Sequence, residues 1–96
     1  MLNVQTSGAA EAARQATAKN YVALRLKPLP FREIKRRLEA AGFQEVSQKG
    51  SHVKFSRVRG DRTDTAIVPR KHEIPVGTLR SILNQTYISP EDWEQL

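Results

Sequence analysis

An imidazole placed at the start of a strand, approached through a glycine and a serine, is the most reactive arrangement in this chain: Gly50-Ser51-His52-Val53-Lys54-Phe55. Imidazole is the side chain whose ordinary titration range spans neutral pH, so it can accept or release a proton there. Gly50 and Ser51 would let backbone N–H groups approach an anion with no bulky side chain in the way, with the Ser51 hydroxyl as an added donor. Lys49 and Lys54 flank the histidine, and this cationic setting makes phosphate the first partner to consider. The other histidine, His72, follows Arg70 and Lys71 in a second basic segment. Structural zinc takes four protein ligands and catalytic zinc about three. Two widely separated histidines are therefore poor material for a metal site, and with no cysteine the chain has no disulfide, thiolate nucleophile or Cys-ligated zinc. No metal and no cofactor is expected.

The elements that must position these residues fit one small domain. At 96 residues and 39% hydrophobic content, the chain can bury a single thin core between two layers. The formal charge of +6 is uneven: residues 27–80 carry 13 Lys/Arg against 6 Asp/Glu, whereas residues 81–96 carry three acids and no Lys/Arg. The basic charge belongs to the central sequence, where it suits a polyanion. Because no apolar run approaches the roughly 20 residues needed to cross a bilayer, a cytoplasmic protein without membrane contact is expected.

Residues 1–26 read as a flexible N-terminal extension, since their alanine-rich run offers little to bury and an unpacked helix is marginal in water. The folded domain is expected over residues 27–96, after Pro28 and Pro30 interrupt any helix. Phe31, Ile34, Leu38 and Ala41 then recur at helical spacing, with Gly42 as a left-handed terminator and Phe43 folding back on the last turn. Strands are predicted at Phe43–Lys49, His52–Val58 and Thr63–Val68, joined by turns at Gly50-Ser51 and Arg59-Gly60-Asp61-Arg62. In the middle strand Val53 and Phe55 point to one face, and His52, Lys54 and Ser56 to the other.

Val76, Leu79, Ile82 and Leu83 supply the buried stripe of a second helix. Gly77 is read as permitting close packing at its start and Thr78 as its cap. Ser89-Pro90-Glu91-Asp92 has the form of an N-cap, a first-turn proline and first-turn acids, introducing a short terminal helix with Trp93 as a lid on the core. The result is an α+β domain of order α-β-β-β-α plus a short C-terminal helix. Its three-stranded antiparallel sheet has helices on one face and an open face that bears His52 and Lys54.

Gly50-Ser51-His52 with Phe55, then Val68-Pro69, then the run Ile74-Pro75-Val76-Gly77-Thr78-Leu79-Arg80-Ser81-Ile82-Leu83, resembles the HicA-type (YcfA-like) toxins of toxin–antitoxin systems over about residues 29–88. The resemblance implies a double-stranded-RNA-binding-domain-like fold. It also implies mRNA interferase activity and neutralisation by a HicB-type antitoxin encoded alongside. The catalytic role of the family histidine falls on His52. The sequence departs from the family where many members carry a second histidine, a position held here by Val53.

RNA carries its own nucleophile, the 2′-hydroxyl beside the scissile phosphate, so such a ribonuclease needs a proton acceptor, cations and a grip on the backbone, and need not bind metal. His52 is the candidate base. Lys49, Gly50, Ser51, Lys54, Arg57, Arg70 and Lys71 are the candidates for phosphate contact, which positions RNA without reading its sequence. Arg32, Lys35, Arg36 and Arg37 are read first as the solvated face of an amphipathic helix. The expected partners are mRNA and the antitoxin, with the free toxin a monomer. A non-catalytic RNA-binding module of the same fold and a degenerate toxin remain open as alternatives.

Overall fold

The computed structural model describes residues 26–96. The extension expected at residues 1–26 lies outside them except for Leu26, which is buried and belongs to the core. The elements run α1 (Phe31–Ala40), β1 (Gln44–Lys49), β2 (His52–Arg59), β3 (Arg62–Pro69), α2 (Val76–Thr86) and α3 (Pro90–Gln95). The strands form one antiparallel sheet in the order β1-β2-β3. This is the expected double-stranded-RNA-binding-domain-like α+β arrangement.

Helix α1 is amphipathic: Phe31, Ile34 and Leu38 are buried. It ends in a Schellman motif, where Phe43 N–H donates to the Leu38 carbonyl at 2.9 Å and Gly42 N–H to Glu39 at 3.0 Å. Gly42 has φ 95, a conformation that strains any residue with a Cβ, and so the chain can turn straight from helix into β1.

The sheet buries Val53, Phe55, Ala66 and Val68 against the helices, together with Ile34, Leu38, Leu79 and Ile82. Each of the larger side chains contributes roughly 1.5–3 kcal/mol by leaving water. Trp93 is fully buried, as its apolar spacing with Leu96 favours over an exposed anchor, and Ser89 Oγ accepts from Asp92 N–H at 3.1 Å as the N-cap of α3. Helix α2 starts differently from the expectation. Its N-cap is Pro75, with no side-chain cap, and a Cβ on Gly77 would meet open space. Thr78 therefore does not cap the helix, and Gly77 is not required for packing. The proline sets extended backbone at the cap and leaves the first turn to solvent.

Helix α2 closes on Tyr87, a non-glycine residue at φ 56. Such left-handed backbone costs a side-chain-bearing residue about 1–2 kcal/mol.

Candidate active site and nucleic-acid interface

His52 is the first residue of β2, and its cross-strand partners are Lys49 in β1 and Pro69 in β3. Directly opposed residues of antiparallel strands share a face, so Lys49, His52 and Pro69 lie side by side on the face away from the helices. Next along β2 come Lys54, opposite Ser47 and Ile67, and then Ser56, whose hydroxyl is 3.1 Å from that of Thr65. Lys49, His52 and Lys54 are all exposed. The imidazole is thus open to solvent between lysines, and the turn that delivers it is tight: Gly50, at φ 59, lets Lys49 pair with His52 across only two intervening residues.

The basic loop after β3 is stitched to this turn. Arg70 N–H donates to the Ser51 carbonyl at 2.6 Å, and the Lys71 carbonyl accepts from Phe31 N–H at 3.0 Å. Leu29 and Ile74 exchange a pair of backbone hydrogen bonds of 3.2 and 2.7 Å that fixes the far end of the loop. Three anchors in so short a segment hold Arg70, Lys71 and His72 beside the histidine turn, where a free loop would sample many positions.

A cleft of about 430 Å³ lies between this loop and the start of α1, lined by Pro30, Phe31, Arg32, Arg70, Lys71 and His72. Arg70 lies 4.5 Å over the Phe31 ring and also reaches Gln48 at 3.3 Å and Glu45 at 3.6 Å. Its guanidinium therefore serves the helix side of the sheet end and leaves the open face to the lysines. A band of cations wraps from the open face, around the histidine turn, to the first turn of α1.

Of the residues expected to contact phosphate, the fold brings Lys49, Gly50, Ser51 and Lys54 together at His52, with the Arg70–Lys71 backbone beside them and the Arg70 guanidinium turned to the helix side. Arg57 departs from that expectation. It shares the inward face of β2 with Val53 and Phe55, lies 4.5 Å over the Phe43 ring, and donates to the carbonyls of Ala41 and Thr86 and to Asp64 at 3.0 Å. A guanidinium with these partners is a structural strut, because a buried charge is tolerated only when paired and hydrogen-bonded. The Asp64 side chain is buried between Arg59 at 2.9 Å and Arg57. Its hydrogen bond from Arg59, reinforced by that from Arg57, holds its carboxyl below the usual carboxylate range.

Lys35 and Arg36 follow the solvated-face reading and Arg37 does not, since its side chain is largely covered and donates to the Trp93 carbonyl at 3.2 Å. Lys35 pairs with Glu45 at 3.0 Å and Arg36 with Glu33 at 2.8 Å, while Arg37 lies 5.2 Å over the Trp93 ring. The hydrogen bond from Arg36 lowers the carboxyl pKa of Glu33. Arg32 is exposed as well, and it faces the cleft with Arg70 and Lys71. Sequence gave no signal for this, because the neighbourhood exists only once Leu29 has paired with Ile74.

Among the described residues no group of three His, Asp or Glu side chains could hold a metal ion. No described helix is long and apolar enough to cross a membrane.

Residues 31–88 match the family model of the HicA toxin of bacterial toxin–antitoxin systems, a span running from the first residue of α1 to just beyond α2. This chain belongs to the HicA toxin family. A search among curated proteins returned no match. The family assignment covers the histidine turn, the basic loop and both main helices, and HicA toxins act in pairs with HicB antitoxins.

Proposed function

We propose that this HicA toxin is a metal-independent endoribonuclease in which His52 is the general base. What carries the reading is the setting of one residue: an exposed imidazole between Lys49 and Lys54 on the open sheet face, beside a basic loop tied to its own turn. An RNA backbone lying along the lysines brings a 2′-hydroxyl to the imidazole. The ring takes the hydroxyl proton, the 2′-oxygen attacks the adjacent phosphorus, and the bond to the 5′-oxygen breaks. The departing 5′-oxygen takes a proton from the imidazolium or from water, leaving a 2′,3′-cyclic phosphate and a 5′-hydroxyl end. Lys49, Lys54 and the backbone N–H groups of Gly50 and Ser51 offset the charge that builds on the phosphate. DNA has no 2′-hydroxyl and is not cut.

The partners of this reading are mRNA and a HicB antitoxin whose acidic groups cover the open face or block His52. Induced expression of the wild-type protein should arrest growth, and His52→Ala should relieve the arrest. General acid–base assistance is worth about 10²–10⁴-fold, so purified His52→Ala should lose at least that much cleavage while keeping its RNA affinity. Cleavage should persist in EDTA. Undiminished toxicity of the variant would reject His52 as the base, equal cutting of single-stranded DNA would reject attack by the 2′-hydroxyl, and RNA binding without cleavage by the wild type would return the protein to an RNA-binding module.

A further inference from the structure

Tyr87 holds a left-handed conformation, φ 56, in which glycine would be free of strain. Burial does not explain its presence, because the residue is 62% exposed. Two guanidinium groups lie over its ring, Arg62 at 4.6 Å and Arg59 at 5.5 Å from the centroid. These arginines are cross-strand partners at the tip of the β2–β3 hairpin. Arg59 is held by Asp64, whereas Arg62 has no carboxylate partner among the described residues. The left-handed backbone belongs to the C-cap of α2, and the side chain it presents, an exposed aromatic ring with a cation free beside it, has the chemistry of a nucleic-acid contact.

We infer that Tyr87, Arg59 and Arg62 form a second RNA contact, a platform on which one unpaired nucleobase stacks while Arg62 meets its phosphate. This rests on the ribonuclease reading above and adds a place where the strand is gripped away from the histidine. Aromatic rings and guanidinium planes are the surfaces on which single-stranded bases stack. An acidic protein segment would engage Arg62 but leave the ring unused, and nucleic acid uses both. Along β2 from His52 to Arg59 the distance is roughly 23 Å at 3.3 Å per residue, and a strand joining them must also round the sheet, because His52 lies on the open face and Arg59, bonded to the buried Asp64, on the helix side. A stacked single strand at about 3.4 Å per nucleotide needs about seven nucleotides for that length alone, and more to pass from one face to the other. Only substrates longer than that reach both places.

The experiment compares RNA oligonucleotides of about 3 and about 12 nucleotides, lengths on either side of that span. With His52 intact, Tyr87→Gly should raise KM for the longer RNA about tenfold and leave kcat unchanged, because losing one base–aromatic stack weakens binding by about that factor. It should leave cleavage of the shorter RNA as it was. In the non-cleaving His52→Ala protein, adding Tyr87→Gly or Arg62→Ala should weaken binding of the longer RNA by a similar factor, and Tyr87→Trp should restore it. The melting temperature of Tyr87→Gly should stay level or rise, since the glycine relieves the backbone, and this separates a contact role from a structural one. The platform is refuted if the longer RNA binds Tyr87→Gly as tightly as the parent, if both lengths lose equally, or if the substitutions weaken only the antitoxin. Cleavage by the parent with no effect at Tyr87 rejects the platform alone. Failure of the parent to bind or cut RNA at all rejects the ribonuclease reading and the platform together.

Discussion

The backbone N–H of Arg70 donates to the carbonyl of Ser51 at 2.6 Å, so the residue just before His52 is clasped to the first residue of the basic loop. Two of the motifs that carry chemistry are thereby one rigid unit, although they are far apart in the chain. Positional errors of about 1 Å can lower a catalysed rate on the order of 10²-fold, which gives this clasp a measurable role.

Arg70→Pro removes the N–H and the side chain together, whereas Arg70→Ala removes only the side chain. If the clasp aims His52, the proline variant should cleave RNA about 10²-fold more slowly than the alanine variant. Far-ultraviolet circular dichroism should be the same for both. Equal rates for the two would mean that the imidazole is positioned by the sheet alone.

Lys54 and Lys49 stand on the open face and Arg57 does not, so their substitutions should differ in kind. Each phosphate contact contributes about 0.7 to the slope of log affinity against log salt on a single strand. Lys54→Ala and Lys49→Ala should each flatten that slope by about that amount with little change in melting temperature. Arg57→Met should leave the slope intact and lower the melting temperature, because it strands the buried Asp64 carboxylate with one partner fewer.

Asp64 gives a definite sign to the acid limb of stability. Its carboxyl pKa is lower in the folded protein than in the unfolded chain, through the hydrogen bond from Arg59 first and that from Arg57 second. A group depressed on folding stabilises fully above its unfolded value, near 3.9, and that contribution is lost as pH falls through the lower folded value. Denaturant midpoints measured between about pH 2 and 6 should fall steeply at the acid end for the wild type. Asp64→Asn should start lower at pH 6 and fall less over the same range. An unchanged acid limb in that variant would show that other carboxylates set it.

Gly42 and Phe55 test the frame that holds the site. Gly42→Ala introduces a Cβ at φ 95, where the nearest atom, Arg57 Cδ, is at an ordinary 3.5 Å, so the penalty is in the backbone. Equilibrium unfolding should show a loss of about 1–2 kcal/mol. Phe55→Ala empties a fully buried position and should lose about 3–5 kcal/mol.

Much of this architecture is local and was legible from residue order. The 3.6-residue stripe of Phe31, Ile34 and Leu38, the Gly42 terminator, the alternation of His52, Val53, Lys54 and Phe55, and the Ser89-Pro90 cap all express preferences that neighbouring residues decide among themselves. The same alternation already set Arg57 on the inward side with Val53 and Phe55. A guanidinium is normally left in water, and residue type alone therefore places it among the phosphate contacts. Its burial depends on acceptors from Ala41, Asp64 and Thr86, three places brought together only by folding.

The sequence by itself therefore determined the element order, the two-sided sheet and the presence of His52 on its open face, because strand and helix periodicities are short-range. Only the tertiary structure decided which cations are free and which are spent, and what stands beside the histidine. Those outcomes depend on pairings such as Arg70 with Ser51, Leu29 with Ile74 and Arg59 with Asp64. A charged side chain takes its role from the partners that packing supplies.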